Sequence, residues 1–248
     1  MFISPLGISR LGRLETGSVD ISRQVLMEYS AFGQMREFLF LLLCFLFQSQ
    51  TKRAKIMPIP IPKRPSGYVK GGASAVLQIE AFVDIQCPYS KKAWPTLLAV
   101  AEHYGPEKVQ LRVQLLSMAN HRQSWDVTKA IFAVAGADSE LFFKLATFLY
   151  VRQEQFFNGV FKKLTQVDLY ELIVRLLTEF GYQTDSTEFV KRLESDEVFA
   201  AAKIPSRIAF SQGVWSSPTF YINRAEANQL SSSSTLEDWN NILEPLLK

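Results

Sequence analysis

The chain has 248 residues, 48% of them apolar and 19 of them Phe, enough for one core-bearing domain with appendages or for two small domains. Its net charge of +3 resides in residues 1–56, where seven Lys/Arg face four Asp/Glu, while residues 57–248 carry 20 of each. That balance argues against a large nucleic-acid footprint, and two cysteines, Cys44 and Cys87, are too few for a disulfide-stapled fold.

The first feature along the chain is the uncharged run Phe38–Phe47. It is too short to span a bilayer and suits the apolar region of a signal peptide. Translation from Met35 makes it a secretory signal. A signal anchor, a loosely helical extension, or an extension ahead of a start at Met57 are the alternatives. Residues 1–56 are thus read as a leader without a firm membrane span. The compartment is secretory or endoplasmic reticulum if the run acts as a signal, and cytoplasmic otherwise.

Pro58, Pro60, Pro62 and Pro65 follow, then Gly71-Gly72. Residues 57–73 read as a semi-rigid linker, with a folded domain over 74–248. Leu77–Ile85 is a buried strand. Pro88–His103 is a helix with a kink expected at Pro95. Val109–Leu116 places Gln110, Arg112 and Gln114 in alternation and reads as a strand with one solvated face. Together these make a βαβ unit with parallel strands. From about 121 to 212 the pattern is helical, with Phe132, Leu141, Phe142, Leu145, Phe148, Leu149, Phe156, Phe157 and Phe161 as its core stripe. β character returns at Thr219–Ile222. Ser234-x-x-Glu237 matches a capping box, and a last helix from Leu236 is expected to bury Trp239, Ile242, Leu243 and Leu246.

The chemistry concentrates at Cys87-Pro88-Tyr89-Ser90. Pro88 suits the first helical position. It puts the Cys87 sulfur beside unpaired N–H groups at the positive end of a helix dipole, a setting that favours thiolate and nucleophilicity. Cys87 as an inert buried side chain is the alternative. Asp84 either accepts a proton or caps the helix, the cap being the simpler reading. Lys91 and Lys92 form a solvated face or hold an anionic ligand. His103 and His121, with one available cysteine, make no recognisable metal site.

Three segments carry a resemblance: Phe82-Val-Asp-Ile-Gln-Cys-Pro-Tyr-Ser-Lys-Lys92, Gly213-Val-Trp-Ser-Ser-Pro-Thr-Phe-Tyr-Ile-Asn223, and the helical block between them. In this order they resemble the DsbA-like branch of the thioredoxin superfamily. Leu149–Phe157 and Leu230–Trp239 look like a little-characterised eukaryotic subgroup of it. The resemblance implies an α/β, thioredoxin-like fold with a DsbA-type helical insertion. It implies a cis peptide before Pro218, and Ser217, Pro218 and Thr219 forming a substrate-binding edge with Pro88 and Tyr89. It also implies Cys87 as nucleophile, and no bound cofactor beyond glutathione as a co-substrate. Ser90 departs from the family's Cys-x-x-Cys and cannot resolve a mixed disulfide; a hydrogen bond from Ser90 to the thiolate is one role left to it. The resulting expectation is a single-cysteine thiol redox protein whose partners are protein or glutathione thiols. A glutathione-dependent transferase or isomerase, and a redox-inactive peptide-binding module, are the alternatives.

Overall fold

The computed structural model describes Pro62 and residues 64–248. The Phe38–Phe47 run and Cys44 lie outside the described residues. A five-stranded sheet has the order β1-β3-β2-β4-β5, with β1 at Tyr68–Lys70, β2 at Leu77–Val83, β3 at Val109–Leu115, β4 at Thr219–Ile222 and β5 at Ala225–Glu226. β2 and β3 run parallel, in register from Leu77↔Val109 to Val83↔Leu115. The helix between them, α1 at Pro88–Tyr104, completes the expected βαβ unit and continues through Pro95. β4 pairs antiparallel with the other side of β2, so the strand that delivers Cys87 is central in the sheet.

Five helices separate β3 from β4: α2 at Ser124–Ala135, α3 at Ser139–Val151, α4 at Gln166–Phe180, α5 at Ser186–Leu193 and α6 at Asp196–Ser211. Two short 3-10 turns, Gln153–Phe156 and Val160–Lys162, join α3 to α4. The Phe stripe packs as expected, with Phe142, Leu145, Leu149, Phe156 and Phe161 all buried. Phe142 bridges the two halves of the core. It stacks on Tyr68 of β1 at 3.9 Å between ring centroids and meets Trp94 of α1 edge-on at 6.1 Å. Full burial of a side chain this large contributes about 2–3 kcal/mol.

Four local expectations change. β1 lies within the 57–73 stretch read as linker and pairs antiparallel with β3. Its approach is close: at Gly71 (φ 104°) an added Cβ would stand 2.2 Å from the Val109 carbonyl oxygen. The residues flanking β1 also meet the polar side chains of β3. Gln110 and Gln114 are buried because the incoming segment satisfies them. Gln110 Nε2 donates to the Gly72 carbonyl at 2.9 Å, Arg112 donates to that of Ser66 at 2.7 Å, and Ser66 Oγ donates to Gln114 Oε1 at 2.9 Å.

The last helix, α7, spans Leu236–Leu243 and is capped one residue later than expected. Thr235 Oγ1 accepts from the Asp238 N–H, and the Asp238 carboxylate accepts from the Thr235 N–H at 2.7 Å. Ser234 instead accepts from the Ser231 N–H. Trp239 and Leu243 are buried, but Leu246 is half exposed, because the chain tightens into a 3-10 turn at Glu244–Leu247 and leaves the helical period.

Candidate active site

β2 ends at Val83, and four residues later Cys87 is the N-cap of α1 (φ −77°, ψ 121°), with Pro88 at the first helical position. The turn between them closes with the Cys87 N–H donating to the Asp84 carbonyl at 3.0 Å. Cys87 is 3% exposed, whereas Pro88 and Tyr89 next to it are exposed, Tyr89 by 63%. Across from this turn lies the loop ahead of β4. A small apolar cluster of Phe82, Leu116, Ala209 and Val214 anchors that loop to the end of β2. The Ser217–Pro218 peptide is cis, and the Cys87 Sγ donates to the Ser217 carbonyl at 3.3 Å. Thr219 opens β4 opposite Phe82. Thus Cys87, Ser217, Pro218 and Thr219 are brought together from opposite ends of the domain. The Ser217 hydroxyl oxygen is buried without a hydrogen-bond partner.

Ser90, a turn further along α1, is fully buried, and its Oγ accepts from the Asp84 N–H at 3.2 Å. Among the described contacts it makes none with the Cys87 sulfur; its hydroxyl is turned towards the turn backbone. Lys91 lies 3.6 Å from Glu154, and Lys92 donates to Ser233 Oγ at 2.8 Å, so both have partners of their own. His103 sits in the last turn of α1, about 24 Å from Cys87 at the helical rise of ~1.5 Å per residue.

Asp84 is not the cap of α1, which has no side-chain cap. Its carboxylate is fully buried and accepts four hydrogen bonds. The Gln86 N–H and Ser124 Oγ donate to Oδ1, each at 2.7 Å. The Met118 N–H donates to Oδ2 at 2.7 Å, and His121 Nδ1 meets the same oxygen at 2.9 Å. This carboxylate therefore ties the cysteine turn to the entrance of the helical insert.

Further residues of the insert reach the same turn. Gln86 and Gln123 exchange hydrogen bonds, and Gln86 Nε2 also donates to Asn158 Oδ1. The Tyr150 hydroxyl donates to the Asp84 carbonyl. Burial, and then the Asp84 carboxylate and the Cys87 side chain nearby, push this hydroxyl well above its ordinary pKa, against a smaller opposing effect of Ser90. It remains a donor at any physiological pH. Gln153 is fully buried and donates to the carbonyls of Ile85 and Cys87. Sequence reasoning missed these partners. Their one local signal is the polar run Arg152–Gln155 that follows the apolar end of α3.

Clefts of about 630 and 490 Å³ lie elsewhere in the domain. The first is lined by Arg64, Phe132, Gly136 and Ile204 among others, the second by Tyr170, Arg175 and Glu194. Neither is lined by Cys87 or by the 217–219 loop. Among the described residues no helix is long and apolar enough to cross a membrane, and no group of three or more His, Cys, Asp or Glu is gathered to hold a metal ion.

A parallel βαβ unit, a helix-start cysteine and a facing cis-proline loop, with the helices inserted between them, define a thioredoxin fold of the DsbA-like type. The chain belongs to the thioredoxin family, whose model, described as "Thioredoxin", matches residues 63–244. A Pseudomonas syringae structure described as that of a candidate protein-disulfide isomerase is 23% identical, with a TM-score of 0.62 over 71% of this chain and 97% of its own. BdbD from Bacillus subtilis is 15% identical, with a TM-score of 0.58 over 73% and 92%. The thiol-disulfide exchange protein α-DsbA2 from Wolbachia pipientis is 14% identical, with a TM-score of 0.56 over 73% and 87%. These likenesses establish the fold. No curated protein matches the sequence.

Proposed function

We propose that this protein carries out thiol–disulfide exchange through Cys87 alone, with protein or glutathione thiols as partners. The observation that carries the reading is the Cys87 sulfur at a helix start, 3.3 Å from the Ser217 carbonyl, with a buried serine in the position a resolving cysteine takes in dithiol enzymes. Cys87 attacks one sulfur of a disulfide R–S–S–R′, forming Cys87–S–S–R and releasing R′–S⁻. A second thiolate R″–S⁻ then attacks the R sulfur, giving R–S–S–R″ and freeing Cys87. Each step exchanges one S–S bond for another, so no external oxidant or reductant enters. Ser90 leaves the second step to a thiol from outside the domain. The Ser217 backbone beside cis-Pro218, with Thr219, Pro88 and Tyr89, supplies the edge on which the R group is held.

The Cys-Pro-Tyr-Ser motif supports placing the chain with the eukaryotic single-cysteine subgroup that it resembles. The exchange chemistry named for the α-DsbA2 neighbour is consistent with this reading.

The test is incubation with oxidised glutathione followed by intact-mass spectrometry. The expected result is one glutathione adduct on Cys87, stable until an added thiol removes it, and none on Cys87→Ser. A folded protein that forms no adduct overturns the exchange reading in favour of the binding module.

A further inference from the structure

We propose that Gln153 is the positioning residue through which the helical insert holds Cys87 in its reactive orientation; this rests on the exchange chemistry proposed above. Gln153 opens the 3-10 turn that follows α3, and it is fully buried. Its Nε2 donates to the Ile85 and Cys87 carbonyls, both at 2.9 Å. Two acceptors fix the amide orientation, since only the NH₂ end can serve both. The other end, Oε1, is buried with no partner. An unpaired buried acceptor is costly, and an apolar side chain of the same size would avoid that cost. The two donated bonds are what Gln153 supplies in return.

Those bonds act on the direction of the sulfur. As an N-cap, Cys87 keeps an extended ψ of 121° while its carbonyl already accepts from the Lys91 N–H at 3.0 Å. The Gln153 amide takes up the same carbonyl and the Ile85 carbonyl two residues earlier. The peptide planes on both sides of the turn are thereby fixed from outside α1. One helical turn before Gln153, the Tyr150 hydroxyl holds the Asp84 carbonyl at 3.3 Å. The end of α3 and the turn after it thus hold three carbonyls of the cysteine turn. Pro88 by itself keeps Cys87 extended; the Gln153 donors fix where the whole turn sits against the insert, and without them the turn is free to shift and carry Sγ away from the Ser217 carbonyl.

The experiment compares wild type, Gln153→Met and Gln153→Glu in the full chain. It measures second-order rates with an aromatic disulfide from pH 5 to pH 9, alongside circular dichroism. Misplacement of a reacting group costs roughly ten- to a hundredfold in rate, so Gln153→Met should be at least about tenfold slower at every pH. Gln153→Glu keeps the shape. Its buried carboxyl, with its pKa raised by desolvation, donates one hydrogen bond while protonated and repels both carbonyls once ionised. Its rate relative to wild type should therefore fall as pH rises. Because the Glu variant is neutral at the acid end, it remains testable there even if Gln153→Met does not fold. A Glu-to-wild-type ratio that stays flat across the range, whether near one or uniformly low, overturns the positioning role. A wild type that itself fails to react overturns the exchange reading instead.

Discussion

Removing the Asp84 carboxylate is the sharpest test of how the cysteine turn is built. Four donors converge on it: the backbone N–H groups of Gln86 and Met118, the Ser124 hydroxyl and the His121 ring. Hydrogen bonds to a charged acceptor contribute about 1.5–3 kcal/mol each, and a stranded buried donor costs about 1–3 kcal/mol. Asp84→Ala strands the two backbone donors outright, so a loss of about 4 kcal/mol is expected once relaxation and non-additivity are allowed for. Asp84→Asn retains one oxygen for Gln86 and Ser124 but turns an NH₂ towards the Met118 N–H, for a loss of about 2 kcal/mol. Against a typical total of about 5–15 kcal/mol these are large fractions. Urea unfolding at pH 7, followed by tryptophan fluorescence, reads the losses. The adduct rate of Cys87 should fall in both variants, because the turn that aims the sulfur is the part released. An Asp84→Ala variant that loses under about 1 kcal/mol and reacts at the wild-type rate would refute the view that this carboxylate organises the site.

Two further outcomes are expected. Ser90→Cys places a thiol in the resolving position at the cost of an acceptor for the Asp84 N–H, about 1 kcal/mol; the glutathione adduct on Cys87 should then be short-lived by intact-mass kinetics, and an unchanged lifetime would count against the exchange reading. The Asp238 carboxyl is held below its ordinary value by hydrogen bonds from the Thr235 backbone and hydroxyl, and that of Asp168 by those of the Thr165 hydroxyl and backbone. A depressed folded pKa gives stability that is present above the ordinary carboxylate range and lost as pH falls through it. The gap in urea midpoint between wild type and Asp238→Asn should therefore narrow from pH 7 to pH 3, and a constant gap would refute the capping argument.

Much of this protein was legible in the order of its residues. Pro88 marks the start of α1 because its fixed φ suits that position, and this alone places Cys87 at a helix terminus. β2, β3 and the Phe-rich stripe follow from apolar periodicity, and the family resemblance connected the Ser217-Pro218 loop to Cys87. Each of these signals lies within a few residues or in a motif. The error of one residue in the α7 cap is of the same local kind: Ser234 and Thr235 are both good caps, and only the backbone geometry chose between them.

What the tertiary structure decided is how the cysteine turn is held. Gln153 meets the Cys87 carbonyl across 66 residues of chain, and His121 meets Asp84 across 37. β1 pairs with the edge of β3 from within a stretch that reads as linker, and the residues flanking it, Ser66 and Gly72, take up the polar side chains of β3. A buried glutamine, an aspartate–histidine pair and a paired strand edge leave no period and no local motif. A polar side chain is equally at home in water or against a distant partner, and its sequence neighbours do not distinguish the two. Only packing the helical insert against the sheet removes the water, and burial then requires each donor and acceptor to find its partner.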